Sequence, residues 1–173
     1  MILLCAVIYP MFIAGIGKMT PGSGKGSTVT VNGRVVGYEL IGQKFTDDKY
    51  FWSRPSAVDY NAAGSAGSNK GPSNPDYLKQ VQDRIDSFLA HNPGIKKEDI
   101  PVDLVTASGS GLDPDLSPAA AYIQVKRIAA TRNIPEDKIK ALVESHIDKP
   151  LAGILGPSKI NVLKLNIALD EIK

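Results

Sequence analysis

The stretch Pro101–Pro118, PVDLVTASGSGLDPDLSP, decides how the rest of the chain is read. Pro101–Val105 alternates and is rich in β-branched residues, which predicts a short strand. Thr106–Gly111 then removes nearly all side-chain bulk, so the backbone can turn tightly and pack close to another surface. Ser117 and Pro118 predict an N-cap and the first residue of a helix. Ser108 and Ser110 lie among glycines but do not fit the Gly-x-Ser-x-Gly elbow of hydrolases. A nucleophilic serine also needs a base, and the only histidines, His91 and His146, fall near predicted helix ends. No bond-making chemistry is legible here.

On the C-terminal side, one helix is predicted from Pro118 to about Arg132, burying Ala121, Val125, Ile128 and Ala129. Pro135 opens another, with Ile139, Leu142 and Val143 inward. The last begins after Asn161 and is apolar nearly all round, which predicts a central position. Before the key stretch, Asn74-Pro75 starts a helix whose buried stripe is Leu78, Val81, Ile85, Phe88 and Leu89, ended by Asn92-Pro93-Gly94. Asn61–Asn74 is a long loop of small and polar residues, a length that usually signals function or a partner. Thr28–Val31 and Arg34–Ile41 read as strands joined at Asn32-Gly33, a strong hairpin signal.

Met1–Gly17 carries no charged side chain. A spanning helix wants about 17–25 apolar residues, so this run sits at the lower edge, with a kink expected at Pro10. A cleaved signal peptide is the alternative, but no basic residue precedes the run and no convincing small-x-small cleavage site follows it. A lipoprotein box at Cys5 fails because bulky Leu4 precedes the cysteine. The expectation is a transmembrane anchor at residues 1–17, a Pro/Gly/Ser linker at 18–27 and a single mixed α+β domain at 28–173. The only cysteine excludes an intrachain disulfide. A net charge of +2, spread along the chain, argues against a nucleic-acid partner.

Other motifs carry less. Gly22–Ser27 lacks the Ser or Thr after Lys25 and the spaced glycine of a phosphate loop, so it reads as linker. Asp113 and Asp115 fall short of the oxygens calcium requires, and no metal site is expected. Gln124 and Arg127 share one face of the second helix with Thr131. They read either as a hydrogen-bonding border between helix and strand or, together with Ser108 and Ser110, as contacts for a partner subunit or nucleotide. Trp52, Arg54 and Tyr60 are expected to stack as an aromatic–guanidinium cluster supporting the core.

Gly33–Gly37 (GRVVG), Leu40–Gln43 with Phe45, Tyr50–Ala57 (YFWSRPSA), Tyr60–Ala63, Ser65–Pro75 (SAGSNKGPSNP), the key stretch itself and Asn161–Asn166 (NVLKLN) with Ala168-Leu169 follow one another in this chain. In that order they resemble the C-subunit (KdpC) family of the Kdp high-affinity potassium-transporting ATPase. Departures occur at Ala66, Lys70 and Asp115. The resemblance implies a non-catalytic accessory subunit with its N-terminus in the cytoplasm and its soluble domain outside the plasma membrane. Implied partners are the potassium-translocating subunit, the P-type ATPase subunit and a small accessory peptide. It implies a catalytic chaperone for ATP binding by the ATPase subunit, with no cofactor of its own. An outward-facing domain cannot meet cytoplasmic ATP directly, so covering the potassium entrance is the physically simpler role. The rivals are an independent anchored protein capturing a small extracytoplasmic ligand in the Asn61–Asn74 loop, and an autonomous ATPase.

Overall fold

A computed structural model describes residues 1–20 and 22–172. It is a mixed helical and sheet structure resolving into two compact units, Met1–Leu40 and Ile41–Lys173.

In the first unit, residues 2–18 are helical without interruption. Leu4–Ile8 is wound as a π-helix and Tyr9–Lys18 (α1) as an α-helix. The wide turn stands next to Pro10, whose missing N–H cannot serve the preceding turn. The apolar side chains of this helix are exposed, Phe12 and Ile13 among them. Among the described residues no helix is long and apolar enough to cross a membrane. Strands β1 (Thr28–Val31) and β2 (Arg34–Tyr38) pair antiparallel, with a register irregularity at Val29/Thr30. Asn32 and Gly33 both take positive φ, which the expected two-residue turn demands. The second strand ends at Tyr38, short of the predicted Ile41.

The second unit is a helical core. Helix α2 (Pro75–His91) is capped by Asn74, whose side chain accepts from the Tyr77 amide. Ile85 and Phe88 are buried on it, but Leu78, assigned to its inward stripe, is 53% exposed. That residue lies in the first turn, ahead of the part that meets the core. The expected strand at Pro101–Val105 is instead a 3₁₀ turn, Val102–Leu104. Leu104 and Val105 are both buried, so the segment does not alternate faces. The Thr106 amide and hydroxyl close back onto the Val102 carbonyl, and Arg84 takes the Val105 carbonyl at 3.0 Å. These bonds are made without a neighbouring strand.

Asp115–Leu116 (β3) pairs antiparallel with Ile160–Asn161 (β4), the only ladder described in this unit. Ser117 caps α3 (Pro118–Tyr122) as expected, accepting from the Ala120 amide. The single helix predicted to Arg132 breaks after Tyr122 and resumes as α4 (Val125–Arg132). The Gln124 side-chain amide donates to the Ala120 carbonyl at 2.9 Å, in the place a backbone N–H would occupy. The Gln124 N–H turns back to Ala121 instead. Helices α5 (Glu136–Ser145) and α6 (Val162–Glu171) complete the unit. Val162, Leu163, Leu165 and Leu169 are buried on α6, which is central as expected. Phe51, Phe88, Leu116, Ile128, Ile139 and Ile160 form the heart of the core with Val162, Leu165 and Leu169.

Candidate functional site

The segment Asp47–Trp52 opens as a largely exposed turn at Asp47–Tyr50 and then enters the core without a strand beside it, Phe51 on it being fully buried. Backbone that enters a core must find partners for its N–H and C=O groups. Here helix side chains supply them. Asn166 on α6 accepts the Phe51 N–H at 2.8 Å and donates to the Phe51 carbonyl at 3.0 Å. Gln124 does the same for Trp52, accepting its N–H at 2.7 Å and reaching its carbonyl at 3.4 Å. Arg127 donates to the carbonyls of Asp48 (2.6 Å) and Tyr50 (3.1 Å), and Arg132 to that of Lys49 (2.7 Å). The Asp47 carbonyl takes the Trp52 indole and the Tyr50 amide. Every carbonyl from Asp47 to Trp52 is therefore occupied. The side chains do the work of an adjoining strand.

Gln124 is fully buried and all four hydrogen-bonding positions of its amide are used, the last by Arg127 at 2.8 Å. Arg127 is 6% exposed. Its guanidinium also donates to Asn92 at 3.1 Å, lies 3.5 Å from the Asp48 carboxylate and stacks 4.6 Å from the Trp52 ring centroid. Burial pulls its pKa down to about 10, and the Asp48 carboxylate opposes that shift. This arginine is the one that stacks on Trp52. Arg54, assigned to that cluster from sequence, pairs with Asp113 at 2.8 Å instead. Tyr60 donates its hydroxyl to the Arg54 carbonyl, and burial pushes its phenol up to about 12.

Ser108 and Ser110 have other neighbours. Ser108 is buried, its N–H donating to the Pro55 carbonyl at 3.2 Å. Ser110 is exposed, its hydroxyl accepting the Leu112 N–H and its carbonyl accepting the Ser65 hydroxyl at 2.9 Å. The close packing anticipated for this loop is made with the chain's own Ser56–Gly67. A Cβ on Gly111, at φ +67°, would sit 2.6 Å from a Val58 methyl and 2.8 Å from the Ala66 carbonyl. One on Gly67 would sit 2.9 Å from the Gly109 carbonyl. Gln124 and Arg127 are thus brought together in the interior, and the two serines lie on a separate pair of tightly packed loops.

Sequence reasoning missed Asn166, Arg132 and Asp48. Asn166 had a signal, a lone amide in the run VLKLNIAL, whose only other polar residue is the exposed Lys164. Arg132 pairs with Asp170 at 2.6 Å and lies over the Tyr50 ring, a contact between distant segments with no local signature. Among the described residues no group of His, Cys, Asp and Glu could hold a metal ion.

Comparison with known proteins gives one consistent answer. The family model described as "KdpC: K+-transporting ATPase, c chain" matches residues 1–171. A protein of Flavobacterium johnsoniae named potassium-transporting ATPase KdpC subunit is 63% identical over 172 residues, covering 99% of this chain and 92% of its own length. Its namesake in Flavobacterium psychrophilum is 61% identical, covering 100% and 93%. The one in Caldanaerobacter subterraneus is 49% identical, covering 98% and 89%. The chain belongs to the KdpC family of potassium-transporting ATPase chains.

Proposed function

We propose that this chain is a non-catalytic accessory subunit of an ATP-driven potassium uptake pump. It assembles with a potassium-translocating subunit, a P-type ATPase subunit and a small accessory peptide. The observation that carries the reading is the family match across residues 1–171. In this reading residues 1–17 anchor the chain in the plasma membrane, 18–27 form a linker, and 28–173 form the extracytoplasmic domain. The exposed apolar surface of the helix, with no charged side chain before Lys18, supports the anchor.

The domain works by contact. Gln124 and Arg127 act from inside, fixing Asp47–Trp52, while the loop carrying Ser108 and exposed Ser110 is offered to a partner subunit. The chain is linked to ATP only through the ATPase subunit, whose nucleotide binding it assists as a catalytic chaperone. Protease protection in sealed, inside-in vesicles containing the whole pump tests the arrangement. The reading expects residues beyond Ser27 to be cleaved from outside. Protection of the whole domain until the membrane is opened would overturn the outward orientation.

A further inference from the structure

The segment Lys44–Tyr60 and helix α2 line a cleft of about 370 Å³ in the second unit. That volume is in the range of small-molecule sites. Phe45, Trp52, Tyr60 and Phe88 give it an aromatic wall, Trp52 meeting Phe88 edge to face at 6.3 Å between ring centroids. Arg84, half-buried on α2, lines it as well and donates from Nη1 to the Val105 carbonyl at 3.0 Å. The other arginines of this unit, Arg54, Arg127 and Arg132, lie 2.8, 3.5 and 2.6 Å from a carboxylate. Among the described residues Arg84 has no such partner and no acceptor besides Val105. Two carboxylates stand at the rim, but Asp59 is paired with Lys44 at 2.7 Å and Asp83 with Lys79 at 3.2 Å. The Arg84 charge is left over. Burial raises the Tyr60 phenol to about 12 while the Arg84 charge opposes that shift, so both groups act on the same poorly solvated space.

A cation without a counterion beside an aromatic wall is matched by an anion that carries an apolar body. We propose that this cleft binds a small organic monocarboxylate with a ring-sized apolar body, its carboxylate on Arg84 and its body against the Trp52 and Phe45 rings. A planar guanidinium offers paired N–H donors to both oxygens of a carboxylate, which a single ammonium cannot. One unpaired guanidinium balances one negative charge. A phosphate dianion would bring a second charge into the cleft with no cation to meet it. A ring gains further from the wall through offset or edge-to-face contact. Ser87, three residues along α2 from Arg84, lines the same cleft with a hydroxyl that has no partner among the described residues. The cleft is complete within this chain, so the proposal does not rest on assembly with other subunits.

Trp52 is the only tryptophan in the chain, so its fluorescence reports occupancy of the cleft. The full chain, purified in detergent, is titrated with phenylacetate, with its uncharged amide phenylacetamide, and with acetate, which lacks the ring. Phenylacetate is expected to change Trp52 emission saturably. Phenylacetamide, which loses the charge-assisted pair, is expected to bind about tenfold more weakly or worse, and acetate more weakly than phenylacetate. Arg84→Gln keeps an N–H for the Val105 carbonyl and is expected to weaken phenylacetate binding by about tenfold or more, while Arg34→Gln stays within about twofold. No saturable change with phenylacetate would overturn the proposal. So would equal binding of acid and amide, equal binding of acetate and phenylacetate, or the same loss in Arg34→Gln as in Arg84→Gln. If Arg84→Gln fails to fold, the comparison of acid with amide on the wild-type chain decides alone.

Discussion

Asn166 binds both backbone polar groups of buried Phe51 and Gln124 both of half-buried Trp52, so truncating either leaves an N–H and a C=O without partners. Each orphaned buried group costs about 1–3 kcal/mol. Asn166→Ala is expected to destabilise the second unit by about 3 kcal/mol, and Gln124→Ala by at least as much, because Ala120 and Arg127 lose a partner too. Urea unfolding checks this, and a loss below 1 kcal/mol in either variant would contradict the clamp. Tyr60 offers a test by pH. Its phenol is raised from 10.0 to about 12 by burial, so the folded state holds that proton where the unfolded state has lost it. The stability it contributes is complete below about pH 10 and is lost as pH rises through about 12. Tyr60→Phe is expected to flatten the fall in stability across that window and to remove the phenolate absorbance step near pH 12. A step unchanged in the variant would refute the assignment.

At the scale of elements, the small-residue loop after Val105 is shaped by close backbone packing at particular glycines. Gly111→Ala places a methyl against Val58 and Ala66 at a positive φ, whereas the same change at Gly109 meets nothing within 4 Å. The expected outcome is a melting temperature lowered by several degrees for Gly111→Ala and nearly unchanged for Gly109→Ala. Similar effects of the two would mean the loops do not pack as described. These elements also show what a sequence discloses. Helix starts at Asn74, Ser117 and Asn161 were legible because the capping side chain and the residues it serves are three apart in the chain. The hairpin at Asn32-Gly33 was legible for the same local reason. Pro101–Val105 misled because strand propensity counts only where another strand lies alongside. The break at Ile123-Gln124 was hidden because its cause, the Trp52 backbone, lies 72 residues away. The Gln124–Arg127 pairing followed from helical spacing, but its partners at Asp48, Tyr50 and Trp52 could be found only once the fold had brought them in.

For the whole molecule, the proposed role is to act through neighbouring subunits. Deleting Met1–Gly17 is expected to release a soluble, folded second unit that no longer co-purifies with the membrane subunits, as read by fractionation and circular dichroism. Stoichiometric co-purification of the truncated chain would show the anchor to be dispensable. The central claim, that this chain enables ATP-driven potassium transport without performing chemistry, is tested most directly by measuring potassium-stimulated phosphate release. The pump would be assembled without this chain, then with it restored, alongside the purified chain alone. The account predicts little activity without the chain, recovery when it is returned, and none above background from the chain by itself; full activity in its absence, or turnover by the isolated chain, would contradict it.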